Sequence, residues 1–307
     1  MKRDYLPEID GRLGFGAWQL GNAEFFSEMS EDEGITLVKT AMDRGVTFFD
    51  TAPGYASGKS EMIIGKAIGE NREKIFINSK FGHKADGSSD FRVESIEASV
   101  KDSLNRLQTD YLDSVILHNP AFYILEGKTD HFKEMARLKS IGLIHHYGVS
   151  IDSYDELKAT LENTDSTVIE LLFNVFSQAC LPLFDEIKRR KILLIIKVPL
   201  DSGWLTGKHH ELSQFSGIRS RWTKADIHRR AQLVKNLKMI VNDEHLTPYA
   251  LSFIWSFPAV SVVIPGTRSI HDLDDNLQAL KFPLNDHFKE AFIQLYKDSI
   301  AQNPLPW

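Results

Sequence analysis

Val46-Thr47-Phe48-Phe49-Asp50-Thr51-Ala52-Pro53-Gly54-Tyr55-Ala56-Ser57-Gly58-Lys59-Ser60-Glu61 joins an apolar run to a polar turn and sets a carboxylate and a phenol five residues apart. The run at 46–49 is rich in β-branched and aromatic residues and reads as a buried strand, with Asp50 at its carboxyl end. Two more apolar runs finish in the same manner. Ile75-Phe76-Ile77-Asn78-Ser79 leads into Lys80, and Leu112-Asp113-Ser114-Val115-Ile116-Leu117 leads into His118. Ionisable groups of complementary type therefore gather at strand ends.

Strand-like runs begin near Leu13, Val46, Ile75, Leu112, Ile144, Val168, Ile192 and Val260, with helical patterns between them. Residues 32–44 carry Ile35, Val38 and Met42 on one face, and residues 93–107 carry Ile96, Val100, Leu104 and Leu107 on another. A shorter helix is expected at 60–68. Eight βα repeats with strands apolar on both faces predict an α/β fold, a (β/α)8 TIM barrel, in preference to a doubly wound sheet. The widest gap between strands, 199–259, holds two helical patterns at 225–241 and 248–255 and a loop at 201–222. That predicts an extra helix and long loops at the catalytic face, with Gly203, Gly207 and Gly217 giving the loop freedom to move. No linker or low-complexity stretch divides the chain, so residues 1–307 are expected to form a single domain.

Active sites of such barrels lie at the carboxyl ends of the strands. Beyond Asp50, Lys80 and His118, those ends are Ser150, Asn174, Lys197 and Pro265-Gly266. The series D-T-A-x-x-Y-x-x-G-x-S-E, Ser79-Lys80-Phe81-Gly82, Leu117-His118-Asn119-Pro120 and Ile264-Pro265-Gly266-Thr267-Arg268 resembles the signatures of the aldo-keto reductases, in the family's order, from about Leu13 to Asn276.

The resemblance implies a catalytic tetrad of Asp50, Tyr55, Lys80 and His118, and reduction of an aldehyde or ketone to an alcohol. Tyr55 would be the general acid. A phenol with an ordinary pKa of about 10 serves better near neutrality beside a cation, which Lys80 supplies, and Asp50 would keep that lysine charged and oriented. His118 would hydrogen-bond the substrate oxygen.

Gly14-Phe15-Gly16 lacks the G-x-G-x-x-G spacing of a dinucleotide-binding turn. The family is similar in binding NADP(H) on a barrel. By resemblance Gly16, Ala17 and Trp18 lie near the nicotinamide with Asp50, and Ser150 lies near its carboxamide. Pro199, Leu200, Gly203, Leu205 and Gly207-Lys208 resemble the loop across the pyrophosphate. Ile264, Gly266, Thr267 and Arg268 enter a helix whose amino terminus favours anions, with Arg268 at the 2′-phosphate and Asp272, Asp275 and Asn276 facing the adenosine. Asp272 stands where the family often has an amide or a glutamate, and three other positions depart from the family pattern: Ile151 replaces a frequent asparagine, Glu170 a glutamine, and Lys197 an aromatic residue that stacks on the nicotinamide. Lys197 is expected to change cofactor affinity more than chemical rate.

A formal net charge of -6 and a pI near 6.0 give no broad attraction to nucleic acid or anionic lipid. The lone Cys180 permits no internal disulfide and suits apolar packing. Residues 1–8 start basic but then offer an acid and a proline where a signal peptide needs an apolar run. The aliphatic run at 192–196 is far shorter than the ~20 residues of a membrane helix, so no membrane insertion and a cytoplasmic location are expected. His145-His146 and His209-His210 have no ligand partners at metal spacing, and no metal is expected. The basic stretch 219–230 reads as a solvated helix entrance. Trp18, Phe81, Phe122, Tyr123 and Trp204 are candidates for a substrate pocket. The motifs do not choose among sugar, steroid, aromatic aldehyde and small reactive aldehyde, and they leave the oligomeric state open. They are also consistent with a different class, an NADP(H)-binding regulatory subunit built on the same barrel.

Overall fold

The computed structural model describes residues 13–26, 28–215 and 217–306, without the side chains of residues 218 and 219. The amino-terminal segment 1–8 lies outside them. Eight strands follow one another around the sheet in chain order: β1 (Phe15–Gly16), β2 (Phe48–Asp50), β3 (Phe76–Phe81), β4 (Leu112–His118), β5 (Ile144–Ile151), β6 (Val168–Leu172), β7 (Leu193–Lys197) and β8 (Val260–Val263). Consecutive strands pair in parallel, and parallel bridges Leu13↔Val263 and Gly16↔Gly266 join the last strand to the first. The sheet thus closes as the sequence predicts, an α/β (β/α)8 barrel.

Alternation along the strands sorts side chains between two cores. Residues facing outward meet the helices in the larger one; those facing inward fill the floor, where Phe48 stacks on Phe76 at 5.0 Å among Ile116, Val168 and Ile195. One pleat further along each strand the inward positions turn polar: Asp50 pairs in register with Asn78, Asn78 with Ser114, His118 with Ser150, and Ser150 with Glu170. A dry floor below and a polar rim above put the chemistry at one end.

The expected helices form at Glu31–Asp43, Lys59–Ile68, Ile96–Leu107, Lys224–Val241 and Thr247–Trp255. Local chemistry fixes several starts. Ser30, Ser153 and Thr223 each accept from the amide three residues on, and Glu33, Glu156 and Asp226 accept in return from the capping residues' own amides. Gly148 lets β5 approach β6 closely, since a Cβ there would lie 1.7 Å from the Val168 carbonyl oxygen. A closing helix, Asp286–Ser299, follows the last βα unit and buries Phe292. Among the described residues no helix is long and apolar enough to cross a membrane.

Candidate active site

The rim is assembled by strand register and one tight turn. Asp50 ends β2, and Lys80 reaches it from β3, donating to Asp50 Oδ1 at 2.6 Å, to Oδ2 at 2.7 Å, and to the Thr51 carbonyl at 3.2 Å. The turn Tyr55–Gly58, with Ala56 and Ser57 in left-handed conformation, folds the chain back so that the Tyr55 ring lies 5.0 Å from the Lys80 ammonium. His118, closing β4, meets that ring edge-on at 6.0 Å. The four tetrad positions read from the sequence therefore meet at one point.

The turn is held from below. Ser60 donates to the Ala17 carbonyl at 2.9 Å and hydrogen-bonds the Thr51 hydroxyl, while buried Glu61 accepts from Ser79 at 2.6 Å and from Arg106 at 2.6 Å. Asn78 and Ser114, which sequence reasoning passed over, support the tetrad directly. Asn78 Nδ2 donates to Asp50 Oδ1 at 2.7 Å, and Ser114 donates to Asn78 Oδ1 at 2.5 Å. The signal was present: Asn78 stands two residues before Lys80 and shares its face. His83, also passed over, packs edge-on against His118 at 4.9 Å.

Glu170 enters the same cluster from β6, 3.3 Å from the Lys80 ammonium. It accepts from Ser150 at 3.0 Å, and Ser150 accepts from Lys197 at 2.8 Å. Lys197 also donates to Asn119 at 3.0 Å and pairs with Asp152 at 2.8 Å. The three departures part company here, since Glu170 and Lys197 face the site and Ile151 is buried in the outer core.

Burial dominates the electrostatics. It raises the Tyr55 phenol well above the usual tyrosine value; Lys80 pulls the other way, and Asp50 and Glu170 add to the rise. The expectation that Lys80 would bring the phenol down is thus corrected: the pull exists, but desolvation outweighs it. Burial opposes the Lys80 charge, yet Asp50, Glu170 and Tyr55 together hold that lysine protonated well beyond its ordinary range. His118 is driven well below the usual histidine range by burial and by the Lys80 and Lys197 charges. It is therefore a neutral imidazole at physiological pH, and its buried Nδ1 has no hydrogen-bond partner among the described residues.

The cofactor candidates fall on the same rim in two groups. Gly16 bridges to Gly266, and its amide donates to Pro265 at 3.3 Å. A Cβ on Gly16 would lie 2.8 Å from the Ile264 carbonyl oxygen and 3.0 Å from that of Pro265, backbone atoms that cannot rotate away, so glycine suits the β1–β8 closure there. Thr267 is buried and donates to Pro265 at 3.2 Å; Arg268 projects to solvent with Asp272 3.8 Å away. Ser269 caps the helix Ile270–Ala279 by accepting from the Asp272 amide, Asp275 pairs with His245 at 3.1 Å, and Asn276 is buried. Across the rim, Pro199 and Leu200 lead from β7 into the turn Asp201–Thr206, where Ser202 and Gly203 are left-handed. Ala17 and Leu205 are wholly buried, so neither of these two cofactor candidates is brought to the surface of the rim, whereas Lys208 is exposed. An exposed guanidinium at a capped helix start, glycine-lined backbone, and a buried serine–carboxylate pair suit a dinucleotide with a phosphate at one end and an amide at the other.

Two expectations need correcting. Phe81 and Trp204 cannot line a substrate pocket, because both are buried in the outer core, Trp204 against His209, Phe215 and Trp222. Trp18 is half-buried, and Phe122 and Tyr123 are exposed. In the basic stretch Arg230 is not solvated: it is buried and donates to Asp201 at 3.1 Å, while the Arg219 side chain lies outside the described residues. Cys180 is buried as expected, and no group of three metal-binding side chains occurs among the described residues.

Fold and rim together define a parallel-barrel protein with an ionisable centre at the strand ends. The chain matches the Aldo/keto reductase family over residues 12–297 and belongs to that family of oxidoreductases. It is 32% identical over 308 residues to the aldo-keto reductase YhdN of Bacillus subtilis, covering 94% of this chain and 91% of that one. It is 26% identical over 279 residues to L-galactose dehydrogenase of Arabidopsis thaliana, covering 87% and 83%. Among solved structures it resembles the holo form of aldo-keto reductase AKR11C1 from Bacillus halodurans, with a TM-score of 0.79, 24% identity, and 96% and 95% of the two chains covered. An aldo/keto reductase from Klebsiella pneumoniae in complex with NADP and acetate aligns with a TM-score of 0.70 at 22% identity, over 96% and 94% of the chains. At these identities the structural matches speak for the fold alone.

Proposed function

We propose that this protein is an NADP(H)-dependent reductase of small-molecule aldehydes or ketones, that residues 1–307 act as one barrel unit, and that Tyr55 is the general acid. The convergence of Tyr55, Lys80, Asp50 and His118 at one rim carries this reading. When bound, the reduced nicotinamide supplies the hydride. Arg268, Thr267 and the helix start at Ser269 would hold the phosphate end of the cofactor; Ser150 and Glu170 would hold the carboxamide, with Lys197 beside them.

The chain's own groups then handle the oxygen and its proton. His118, neutral and buried, donates an N–H to the carbonyl oxygen without adding a charge that would have to be desolvated. Tyr55 remains protonated at neutral pH because burial raises it, so it has a proton to give as negative charge builds on that oxygen. Lys80 stabilises the phenolate left behind, and Asp50 and Asn78 keep the lysine aimed at it.

NADPH oxidation over a panel of carbonyl compounds, wild type against Tyr55→Phe, with cofactor binding measured separately, tests the reading. Loss of turnover with retained binding is the expected result. A wild type that binds NADPH tightly and turns over none of the panel would instead favour a regulatory subunit.

A further inference from the structure

Two carboxylates share one lysine in this barrel. Asp50 and Glu170 are both almost wholly buried, and they approach the Lys80 ammonium at 2.6 and 3.3 Å from β2 and β6. The Asn78 amide bridges them, donating to Asp50 at 2.7 Å and to Glu170 at 3.4 Å. The titratable groups around them come from several sides of the rim: Tyr55 from the turn after β2, Lys80 from β3, His118 from β4 and Lys197 from β7, with Asp152, just past β5, neutralising Lys197. Strands β1 and β8 bring no ionisable side chain to this end. Like charges this close in a buried site oppose each other's ionisation, which favours a proton retained on one of them.

We propose that Asp50 and Glu170 form a carboxyl dyad that holds a single proton beside Lys80, and that this proton replenishes Tyr55 after each reduction. This rests on the reductase reading above. Tyr55 gives its proton to the alkoxide formed by hydride transfer. Lys80 then passes a proton to the phenolate oxygen, and the protonated carboxyl passes one to the neutral amine. The dyad, left with two ionised carboxylates, takes a proton back from solvent, which restores every group. In this proton transfer Glu170 acts through Lys80, as a positioning and proton-holding residue, in addition to its place beside the cofactor's carboxamide. Electrostatics agree with the geometry: burial and the Glu170 charge push Asp50 up to about 8 against the pull of Lys80. Burial works to raise Glu170 as well, but Lys80 and Lys197 hold it below its ordinary value. The proton therefore resides mainly on Asp50.

The test is a carbon-13 titration of cofactor-free protein labelled at aspartate and glutamate carboxyls, wild type against Glu170→Gln, which keeps the side chain's shape and acceptor oxygen. In wild type one carboxyl titrates between about pH 6 and 9, and in Glu170→Gln that titration disappears, because Asp50 alone beside Lys80 stays ionised. Should Glu170→Gln not fold, Asp50→Asn removes the other partner, and the same loss is expected. A pH-rate profile adds a second readout: wild-type reductive kcat falls about tenfold per pH unit above the inflection, whereas Glu170→Gln is flat between about pH 6.5 and 9. A wild type with no carboxyl titrating in that range, or a titration unchanged in Glu170→Gln, overturns the dyad. Because the titration needs neither cofactor nor turnover, absence of carbonyl reduction would refute the reductase reading while leaving the shared proton standing or falling on its own signal.

Discussion

Arg230 donates through Nε to Asp201 Oδ2 at 3.1 Å with only 1% and 5% of the two side chains exposed, a buried ion pair that ties the turn after β7 to the helix Lys224–Val241. A second Arg230 nitrogen donates to the Pro306 carbonyl at 2.6 Å, and Arg229 donates to the Ser299 carbonyl at 2.9 Å, so the same helix start also fastens the carboxyl-terminal tail. The indole ring of Trp222 lies 4.9 Å from the Arg230 guanidinium. Burial lifts Asp201 above the ordinary aspartate value even with Arg230 beside it, so the carboxylate depends on this partner for its charge.

Arg230→Met is therefore expected to cost about 3–5 kcal/mol, because it strands a buried carboxylate. Asp201 has a φ of +44°, which asparagine tolerates, so Asp201→Asn removes the charge without new backbone strain. In the double variant Asp201→Asn/Arg230→Met, part of the loss should return. Urea unfolding of the four proteins checks this, and strictly additive costs would show that the pair is not coupled.

What the sequence made legible, and what it did not, follows from the range of the interactions. Strand starts near Ile75, Leu112, Ile144 and Val168 show because an apolar, β-branched run is a local signal, and the observed strands begin within a residue of each. Asp50, Lys80 and His118 stand out because each falls at the end of such a run, whereas Tyr55, in the turn after β2, and the grouping of the four are legible only through the resemblance to the aldo-keto reductase motifs. Arg230 and Trp204 are misleading for the opposite reason. Their partners Asp201 and Trp222 lie 29 and 18 residues away, and nothing within a helical turn of either says which way it faces. The helix Asp286–Ser299 escaped notice although Phe288, Phe292 and Leu295 recur at helical spacing, because attention to βα repeats ends with the eighth.

Gly148→Ala should be among the most damaging single-methyl changes in the barrel. The added Cβ would lie 1.7 Å from the Val168 carbonyl oxygen and 2.7 Å from its carbon, both backbone atoms, so no rotamer change relieves the clash. Separating β5 from β6 would also disturb Ser150 and Glu170, which face each other in register. A loss of about 3 kcal/mol or more is expected, seen as a lowered thermal midpoint or poor recovery of folded protein. A midpoint equal to wild type would mean that the strand pair slides at no cost.

Mild acid should destabilise the fold partly through His146. It faces the barrel floor, stacked on Phe76 at 6.5 Å, and burial lowers its pKa to about 4, with Lys139 and His145 contributing. The unfolded chain titrates histidine near 6.5, so between about pH 6.5 and 4 the unfolded state binds the proton more readily. Stability from this residue is thus present above that window and lost as pH falls through it. Thermal midpoints measured from about pH 7 to 4 should drop less steeply in His146→Gln; parallel curves would assign the acid sensitivity elsewhere.

Lys197 is the remaining departure whose effect can be separated from chemistry. Its ammonium has three partners on the rim, Asn119, Ser150 and Asp152, at 3.0, 2.8 and 2.8 Å. Replacing it with methionine leaves Asp152 unneutralised and takes a donor from Ser150, so the rim gains net negative charge where an anionic dinucleotide has to settle. The tetrad contacts among Asp50, Lys80 and Tyr55 do not pass through Lys197, which leaves the proton-transfer geometry in place. Loss of one charge-assisted contact of this kind is worth about 1.5–3 kcal/mol, so the NADPH dissociation constant of Lys197→Met should rise by roughly ten- to a hundredfold. At saturating cofactor, kcat should stay within about threefold of wild type. Fluorescence titration with NADPH decides the first point and steady-state kinetics the second. An unchanged dissociation constant, or a kcat that falls as far as the affinity, would place Lys197 in the chemical step instead of in cofactor binding.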